Sequence, residues 1–342
     1  MKQPILTIAV PTYNMGTWLD KNLATYRDPV LYERLEVLCL NNASEDDSKA
    51  IIQRYAEECP EIFVLVDRNS RGYGGSINEA LACARGTYFR IVDADDWVDT
   101  KELVKLVDVL ESCETDIVLT DYEIVDMQTG KMTAVKAGSK GVEYGKQYLE
   151  FNWPRKTLPS IHGTTYKTEL LRKSGFQMQD GIFFVDEEYV ILPYLYAKSV
   201  IYYPFDIYRY QVANPAQSTS PQNRAKYYGH REKVLRRLIA DVWKAHGDDS
   251  GGAALSYCYE RIQRGVGDHF TTLYMYMEDR RTGRRLAEEW RGYIWRNAPE
   301  CWSPVKRKAA VLSLMNRLHV SLERYTVWKR WLKRCKGKNH SL

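Results

Sequence analysis

Five stretches of largely apolar residues alternate along the first third of the chain with segments in which apolar side chains recur every three or four positions. The apolar stretches cover residues 5–10, 37–40, 63–66, 88–92 and 117–120. Uninterrupted apolar runs rich in β-branched residues are typical of parallel strands that are covered on both faces. The intervening segments carry apolar faces at helical spacing, such as Leu103, Leu106, Val107 and Leu110. The alternation predicts an α/β protein with a doubly wound, mostly parallel sheet.

The pattern changes after residue 223, where strand signals disappear and long helical segments take over. One apolar helical face is formed by Val234, Leu235, Leu238, Ile239 and Val242. We therefore expect an α/β domain over residues 1–223, with halves of about 1–121 and 122–223. A helical C-terminal region is expected over residues 224–342.

The C-terminal end combines basic and aromatic side chains, and no acid follows Glu323. Its basic residues are Arg324, Lys329, Arg330, Lys333, Arg334, Lys336 and Lys338, which interleave with Tyr325, Trp328, Trp331 and Leu332. A basic aromatic helix can lie on an anionic membrane surface as a peripheral contact. A helix packed on the domain and a contact between two copies of the chain are the open alternatives.

Three carboxylates follow the fourth apolar stretch, in the sequence Asp93-Ala94-Asp95-Asp96. Acids just past a strand lie at the carboxyl edge of an α/β sheet, where open sheets bind ligands. Hard cations such as Mg²⁺ and Mn²⁺ take oxygen ligands from carboxylates and from substrate phosphates. The motif therefore fits a divalent cation that carries a diphosphate, with an acidic turn that caps the next helix as the alternative.

Polar turns also follow the first three apolar stretches. They are Pro11-Thr12-Tyr13-Asn14, Asn41-Asn42-Ala43-Ser44-Glu45-Asp46 and residues 69–78, which include Gly72, Gly74 and Gly75. In the second turn, Ser44 and Asp47 match a capping-box pattern for the next helix. No Gly-Lys-Ser/Thr follows the glycines and no G-x-G-x-x-G follows the first stretch, which argues against a P-loop and against a dinucleotide-binding fingerprint.

Taken in order, these four motifs resemble those of the family 2 inverting glycosyltransferases, whose GT-A fold is a Rossmann-like doubly wound sheet. The resemblance covers about residues 4–220. It implies an enzyme that moves a sugar from a nucleotide-diphosphate donor to a hydroxyl acceptor with the help of Mn²⁺ or Mg²⁺. It also implies a glycan or a lipid-linked glycan as the acceptor, as in the synthesis of bacterial surface polysaccharides.

The resemblance assigns nucleotide contacts to the first three turns. The base would be held by Pro11, Thr12, Tyr13 and Asn14, with the ring of Tyr13 available for stacking. Other contacts to the donor would come from Asn42, Asp46, Arg71, Gly74 and Asn78. Many family members have an aspartate at the position of Asn42 that accepts a hydrogen bond from uracil; the amide weakens the case for a UDP-sugar, which is still the favoured donor. Ordinary packing, a helix start and a solvated surface position are the alternatives for Tyr13, Asp46 and Arg71.

The resemblance also assigns roles within the acidic motif. Asp93 and Ala94 would contact the nucleotide, with Asp93 at the ribose or in the metal shell. Asp95 would coordinate the metal directly. Asp96 would position the donor sugar or orient Asp95.

An inverting transfer needs a general base that removes the acceptor hydroxyl proton. Three acids, Asp186-Glu187-Glu188, follow a largely apolar segment and precede a helical stretch, as does the family's acidic motif. The usual order in that motif is Glu-Asp, whereas this chain has Asp186-Glu187. Asp186 is the favoured base, with Glu187 or Glu188 next. A charged helix start is the structural alternative. Residues 208–210 and 217–220 resemble the end of the domain, where a flexible loop can close over the donor. We treat His162 as structural.

Bulk properties fit this interpretation. The net charge of +5 is mild, and no zinc-ligand spacing or arginine-rich motif indicates a nucleic-acid partner. The seven cysteines lack C-x-x-C, which favours reduced thiols in the cytoplasm. Neither a signal peptide nor an apolar stretch of about 20 residues is recognisable. We expect a cytoplasmic enzyme at the inner face of the plasma membrane; a sugar-nucleotidyltransferase and a non-catalytic nucleotide- or glycan-binding module are the rivals.

Overall fold

The computed structural model describes residues 3–139, 141–149, 152–154, 158–212, 220–246, 252–321 and 323–328. The chain divides into two compact units. The first contains Met1–Pro215 and Asp249–Cys258, and the second contains Ala216–Asp248 and Tyr259–Leu342. The expected division into domains at residue 223, and of the first domain into halves, stays a prediction.

A mixed sheet forms the centre of the first unit. Its strands are β1 (Leu6–Thr12), β2 (Leu35–Asn42), β3 (Phe63–Arg68), β4 (Tyr88–Ile91), β5 (Trp97–Val98), β6 (Ile117–Asp126), β7 (Met132–Val135), β8 (Gln147–Leu149), β9 (Thr164–Lys167) and β10 (Ser199–Val212). They are ordered β3-β2-β1-β4-β9-β6-β10-β5, with β7 beside β6 and β8 beside β10. Parallel pairing joins β3, β2, β1 and β4, and also joins β6 to β10. The predicted α/β class with a mostly parallel sheet is confirmed.

The first four helices of the first unit follow the strands that the first four apolar stretches predict, and two shorter helices come later in the chain. They are α1 (Gly16–Ala24), α2 (Ser48–Glu58), α3 (Tyr73–Cys83), α4 (Thr100–Leu110), α5 (Thr168–Lys173) and α6 (Asp186–Tyr189). Every residue of β1 and β2 is buried, as expected for strands covered on both faces. This burial leaves the strand ends as the places where the sheet can present polar groups to a ligand.

The start of α2 differs from the prediction. Asp47 occupies the N-cap position but makes no side-chain cap bond. The hydroxyl of Ser44 instead accepts a hydrogen bond from the N–H of Asn14, 3.1 Å away. Asp46 serves the helix start in place of the predicted pair, because its carboxylate accepts from the N–H of Ser48. The capping-box prediction is therefore wrong.

Strand β9 is an element that the apolar pattern did not predict. It runs antiparallel between β4 and β6, so the fourth and fifth predicted strands are not neighbours. Arg90 pairs with Thr165, and Tyr88 pairs with Lys167. The start of β9 therefore lies beside the carboxyl end of β4. The residues just before β9 reach the same edge of the sheet as the acidic turn that follows β4.

The second unit is helical in the part that the structure describes. Its helices are α7 (Pro221–Lys226), α8 (Tyr228–His246), α9 (Ala253–Thr271), α10 (Arg280–Asn297) and α11 (Pro299–Arg317), and residues 253–258 of α9 belong to the first unit. The predicted apolar face of α8 is buried, from Val234 to Val242. No helix among the described residues is long and apolar enough to cross a membrane. Most of the basic aromatic tail, residues 329–342, lies outside the described residues.

Candidate active site

The acidic turn after β4 is fixed to the protein through its backbone. The amide Nδ2 of Asn22, on α1, donates to the carbonyl oxygens of Asp93 (3.1 Å) and Asp96 (2.9 Å). Within the turn, the N–H of Asp96 donates to the carbonyl of Asp93, 3.0 Å away. Because these bonds use main-chain groups, the carboxylates stay available for other partners.

Two tyrosines from distant parts of the chain contact the acids of this turn. Tyr208, on β10, donates its hydroxyl to Asp96 Oδ2 (2.6 Å) and accepts from the N–H of Asp93 (3.1 Å). Tyr73, at the start of α3, donates to Asp93 Oδ1 (2.8 Å). The second oxygen of Asp96 accepts from the N–H of Gln211 (2.7 Å). Asp96 is thus buried and ties β10 to the turn, and Asp93 and Asp95 are more exposed.

The carboxylates of the turn disfavour each other's ionisation. Burial and the neighbouring Asp95 charge raise the pKa of Asp93 to about 7. Burial, followed by the charges of Asp93 and Asp95, raises the pKa of Asp96 well above its usual range, and burial also raises the pKa of Asp95. A cluster of partly desolvated acids is a costly arrangement that a bound cation relieves.

His162 joins this cluster although its sequence context indicated a structural residue. One ligand atom from each of Asp93, Asp96 and His162 lies within 4.8 Å of the others. The imidazole stacks on Tyr210, with ring centroids 4.1 Å apart, and contacts Tyr208. Burial, together with the nearby Arg90 charge, lowers the pKa of His162 to about 3. A lone histidine carries no spacing signal, and only the antiparallel course of β9 brings it to this edge.

The three acids of the predicted base motif have different environments. Glu188 is fully buried and accepts from the backbone N–H of Gln179 (2.8 Å) and from its side-chain amide, which is a structural role. Glu187 is half-buried, and Asp186 is exposed at the start of α6. Phe184, two residues before Asp186, has a φ of +71°, a backbone conformation that non-glycine residues rarely adopt.

Asp186 faces the acidic turn electrostatically. Burial is the main cause of the raised pKa of Asp93 and Tyr73, and the charge of Asp186 adds to both shifts. The pKa of Tyr210 is likewise raised by burial and then by surrounding carboxylates that include Asp186. The structure therefore brings an exposed acid from the second half of the α/β region to the turn at the end of β4.

The first two turns are joined to each other. Pro11 and Thr12 are buried, and Tyr13 is 36% exposed. Asn14 has a φ of +52°, and its Oδ1 accepts from the N–H of Glu45 (2.8 Å). Asp46 accepts from the N–H of Gly16 (2.9 Å). Although burial opposes it, these backbone bonds and the bonds to Ser48 lower the pKa of Asp46. Asp46 thus holds the start of α1 to the second turn.

Asn42 is buried, and its Oδ1 is already occupied. The hydroxyl of Ser76 donates to this oxygen over 2.6 Å, and the guanidinium of Arg68 donates to it as well. Arg68 also pairs with Glu79 over 2.7 Å. An amide suits this position because its oxygen can accept from Arg68 and Ser76 while its nitrogen remains a donor.

The glycine-rich turn packs against a later segment of the chain. A Cβ added at Gly74 would overlap the carbonyl oxygen of Gln179, and one added at Gly72 would overlap the carboxylate of Asp180. Asn78 uses both ends of its amide on the backbone of Met178, over 2.8 and 2.9 Å. The close approach that these glycines permit is therefore made by residues 178–180.

Arg71 lies on the surface beside Tyr13. Its guanidinium carbon is 4.7 Å from the centre of the Tyr13 ring, and the guanidinium pairs with the exposed Glu45.

The predicted closing loop lies outside the described residues up to Thr219. The structure thus places ligand atoms of Asp93, Asp96 and His162 within 4.8 Å of one another, and the charge of Asp186 contributes to the raised pKa of Asp93. Asp46, Asn78 and Gly74 lie in contacts within the protein.

Comparisons with known proteins identify the family of this domain. The model for "Glycosyl transferase family 2" matches residues 7–176. The chain contains a family 2 glycosyltransferase domain. The matched range includes the turns after β1, β2, β3 and β4 and ends before Asp186.

This family 2 domain is similar to several bacterial proteins. Glycosyltransferase GlyG of Streptococcus pneumoniae serotype 4 is 24% identical over 217 residues, which cover 60% of this chain and 70% of GlyG. The poly(ribitol-phosphate) beta-glucosyltransferase of Bacillus spizizenii is 22% identical over 69% of this chain and 37% of the relative. EpsH of Bacillus subtilis is 22% identical over 62% of either protein. The chain therefore spans less than two thirds of the length of the latter two relatives.

The fold of this family 2 domain and its C-terminal helices is similar to a solved structure. The crystal structure of S. aureus TarS 1-349 in complex with UDP-GlcNAc matches with a TM-score of 0.57 and 16% identity. The match covers 93% of this chain and 92% of that one. The likeness shows a shared fold, and the predicted GT-A fold is confirmed.

Proposed function

We propose that this chain is an inverting glycosyltransferase that moves a sugar from a nucleotide-diphosphate donor to a hydroxyl of a glycan or a lipid-linked glycan. The observation that carries the proposal is the partly buried acidic turn at the end of β4, together with the exposed Asp186, whose charge acts on Asp93. The turn supplies a place for the donor's phosphates and a cation, and Asp186 supplies a separate group for the acceptor. A relative named as a poly(ribitol-phosphate) beta-glucosyltransferase supports a polymeric glycan or polyol phosphate as the acceptor.

The residues of the acidic turn fit a divalent cation. Ligand atoms of Asp93, Asp96 and the neighbouring His162 lie within 4.8 Å of one another. Asp95 belongs to the same turn, and burial and repulsion from Asp95 raise the pKa of Asp93. Asp93 and Asp95 are the residues that we assign to holding Mn²⁺ or Mg²⁺, with Asp96 nearest the donor sugar. When bound, the cation would offset the negative charge that grows on the diphosphate as it leaves.

Asp186 is assigned as the general base. An acceptor hydroxyl that hydrogen bonds to its carboxylate would pass its proton there while the hydroxyl oxygen forms a bond to the anomeric carbon. The bond from that carbon to the diphosphate oxygen breaks on the opposite face, which inverts the configuration. Tyr73 and Tyr208 hold the acids of the turn through hydrogen bonds of 2.8 and 2.6 Å, so the donor side keeps its geometry while the proton moves.

The donor nucleotide is proposed to be held by the first two turns. TarS, whose fold is similar, was crystallised with UDP and with UDP-GlcNAc, which favours a UDP-sugar. Because Oδ1 of Asn42 accepts from Ser76 and Arg68, we expect Asn42 to offer the base its amide N–H₂. Tyr13 is 36% exposed, and its ring is available to stack on the base.

Calorimetric titration with UDP-, GDP- and dTDP-sugars tests the donor and the metal together. With Mn²⁺, we expect one donor class to bind wild-type protein, and we expect EDTA or Asp95→Ala to weaken that binding at least about tenfold because the cation links the acids to the diphosphate. Asp108→Ala is the matched control, since Asp108 lies on α4 in a surface pair with Arg34. Absence of metal-dependent binding to every donor would favour a non-catalytic module.

We further propose that the basic aromatic tail holds the protein at the inner face of the plasma membrane. The charge pattern from Arg324 to Lys338, with no acid after Glu323, supports this proposal. In a flotation assay with vesicles that contain anionic lipid, we expect the full chain to float with the vesicles. A chain shortened by residues 321–342 is expected to remain in the bottom fraction of the gradient. Vesicles of neutral lipid are the control. Equal flotation of both chains would show that the tail is not responsible.

A further inference from the structure

His162 lies beside the acidic turn. It precedes β9, and the antiparallel pairing of β9 with β4 brings it to the carboxyl end of β4. Its ring nitrogen lies within 4.8 Å of a carboxylate oxygen of both Asp93 and Asp96. An imidazole nitrogen therefore lies beside the carboxylate oxygens of the turn, and both are potential metal ligands.

The imidazole is held in one orientation by its neighbours. Its Nδ1 is 3.0 Å from the hydroxyl of Ser160, and its ring stacks on Tyr210 at an interplanar angle of 24°. The backbone carbonyl of His162 accepts from the buried guanidinium of Arg90. Metal-binding histidines characteristically engage the second ring nitrogen with a polar group, which fixes the tautomer and the ring direction. With Nδ1 at Ser160, Nε2 is the nitrogen that remains for a ligand.

We propose that His162 is a ligand of the divalent cation that binds at Asp93, through its Nε2. The proposal rests on the metal site of the proposed function and adds a nitrogen ligand to it. Aromatic rings on one side and Ser160 on the other hold the imidazole in place before the metal arrives. Asp96 lies on the side of the site that faces β10, where its carboxylate oxygens accept hydrogen bonds from the hydroxyl of Tyr208 and the N–H of Gln211.

A nitrogen ligand changes which cation the site prefers. Mg²⁺ demands oxygen ligands in near-ideal octahedral geometry, whereas imidazole binds the softer first-row transition metals well. The geometry at His162 therefore makes the site selective for Mn²⁺ over Mg²⁺. An oxygen-only site made of Asp93 and Asp95 would discriminate less between the two ions.

Pulsed electron paramagnetic resonance of Mn²⁺ added to the full chain tests this ligand directly. In wild-type protein we expect the nitrogen coupling of a directly bound imidazole, and we expect it to change to the ¹⁵N pattern when the protein is made with ¹⁵N-labelled histidine. His162→Phe keeps a ring against Tyr210 but removes the nitrogen, and His162→Asn removes both. In both variants the coupling disappears and the Mn²⁺ dissociation constant rises at least about tenfold, with a change of less than about threefold for Mg²⁺.

The exposed His319 provides the matched control. His319 has a φ of +53°, which asparagine tolerates, so His319→Asn is expected to keep the wild-type spectrum and affinity. Mn²⁺ bound to wild-type protein without nitrogen coupling would overturn the role of His162 and leave the oxygen ligands intact. Wild-type protein that binds no Mn²⁺, with or without UDP, would overturn the metal site itself. Where a variant fails to fold, the labelled wild-type spectrum still shows whether a histidine binds the ion, and His162 is the histidine whose ring nitrogen lies within 4.8 Å of Asp93 and Asp96.

Discussion

The Asp186→Asn variant is expected to bind the nucleotide-sugar donor as tightly as wild-type protein and to transfer sugar about 10²- to 10⁴-fold more slowly. General base catalysis typically contributes a factor of this size, and asparagine cannot take up the hydroxyl proton. Asp186 is exposed and lies at the start of the four-residue helix α6, so the substitution should leave the fold unchanged. Donor titration by calorimetry and the initial rate of nucleoside diphosphate release measure the two effects separately.

Two further variants make the assignment of Asp186 specific. Asp108→Asn removes an exposed acid that pairs with Arg34 and should keep wild-type turnover. Glu187→Gln tests the neighbouring acid, which is half-buried. Wild-type turnover in Asp186→Asn would rule out this residue as the base, and a large loss confined to Glu187→Gln would transfer the role to Glu187. Loss of donor binding in Asp186→Asn would instead place Asp186 on the donor side.

The Asp93→Asn variant is expected to lose metal-dependent donor binding and yet to melt at a higher temperature than wild-type protein in EDTA at pH 8. Burial and the Asp95 charge raise the pKa of Asp93 to about 7, so the folded protein must ionise an unfavourably placed acid at pH 8. Asparagine removes this cost and can still accept the hydrogen bond from Tyr73. After an allowance for partial exposure, the gain is on the order of 1–2 kcal/mol, or about 2–6 °C in melting temperature.

The gain in Asp93→Asn should depend on pH with a defined sign. An unfolded aspartate titrates near 3.8 and folded Asp93 near 7, so between these values the folded state binds more protons. Stability from this group therefore falls as the pH rises through that window. The two proteins should melt together below pH 4 and diverge up to about pH 7.

Thermal melts in EDTA from pH 4 to pH 8 measure this difference, with Asp108→Asn as the control for the loss of a surface acid. Added Mn²⁺ should stabilise wild-type protein and not Asp93→Asn, because binding to the folded state alone raises its stability. Equal melting of the two proteins across the whole pH range would show that Asp93 is not destabilised by its neighbours. A lower melting temperature for Asp93→Asn would assign the residue a structural role.

The parallel half of the sheet could be predicted from the sequence because each of its strands coincides with a largely apolar stretch, of which those in β1 and β2 are fully buried. β9 could not be predicted, since Thr164-Thr165-Tyr166-Lys167 is short and polar in composition and is buried by elements distant in sequence, including its neighbours β4 and β6. The position of His162 follows from β9 and was missed for the same reason. Hydrogen-bond partners could not be predicted either, as Asn78 shows: the family resemblance assigns it a contact to the donor, whereas in the structure its amide bonds to the backbone of Met178.

The acidic turn illustrates the opposite case. Three acids after a strand also suit an acidic turn that caps a helix, and they indicate a cation site in sequence only together with the polar turns after the other strands. What the sequence does not distinguish is their division of labour. Asp96 is buried by Tyr208 and Gln211, and those residues lie more than a hundred positions away. The environment of Asp96 is therefore set by β10, and that of Asp93 is set in part by Tyr73 on α3.

The contact between the glycine-rich turn and residues 178–180 has a consequence for recombination between relatives. Gly75 donates its N–H to Asp180 (2.9 Å), and Asn78 bonds to Met178, so two segments a hundred residues apart form a matched pair. A hybrid enzyme whose crossover falls between them would inherit one half of this pair from each parent and lose the fit. When the second half of the α/β region is exchanged between relatives, the glycine-rich turn and residues 178–180 must therefore come from the same parent protein.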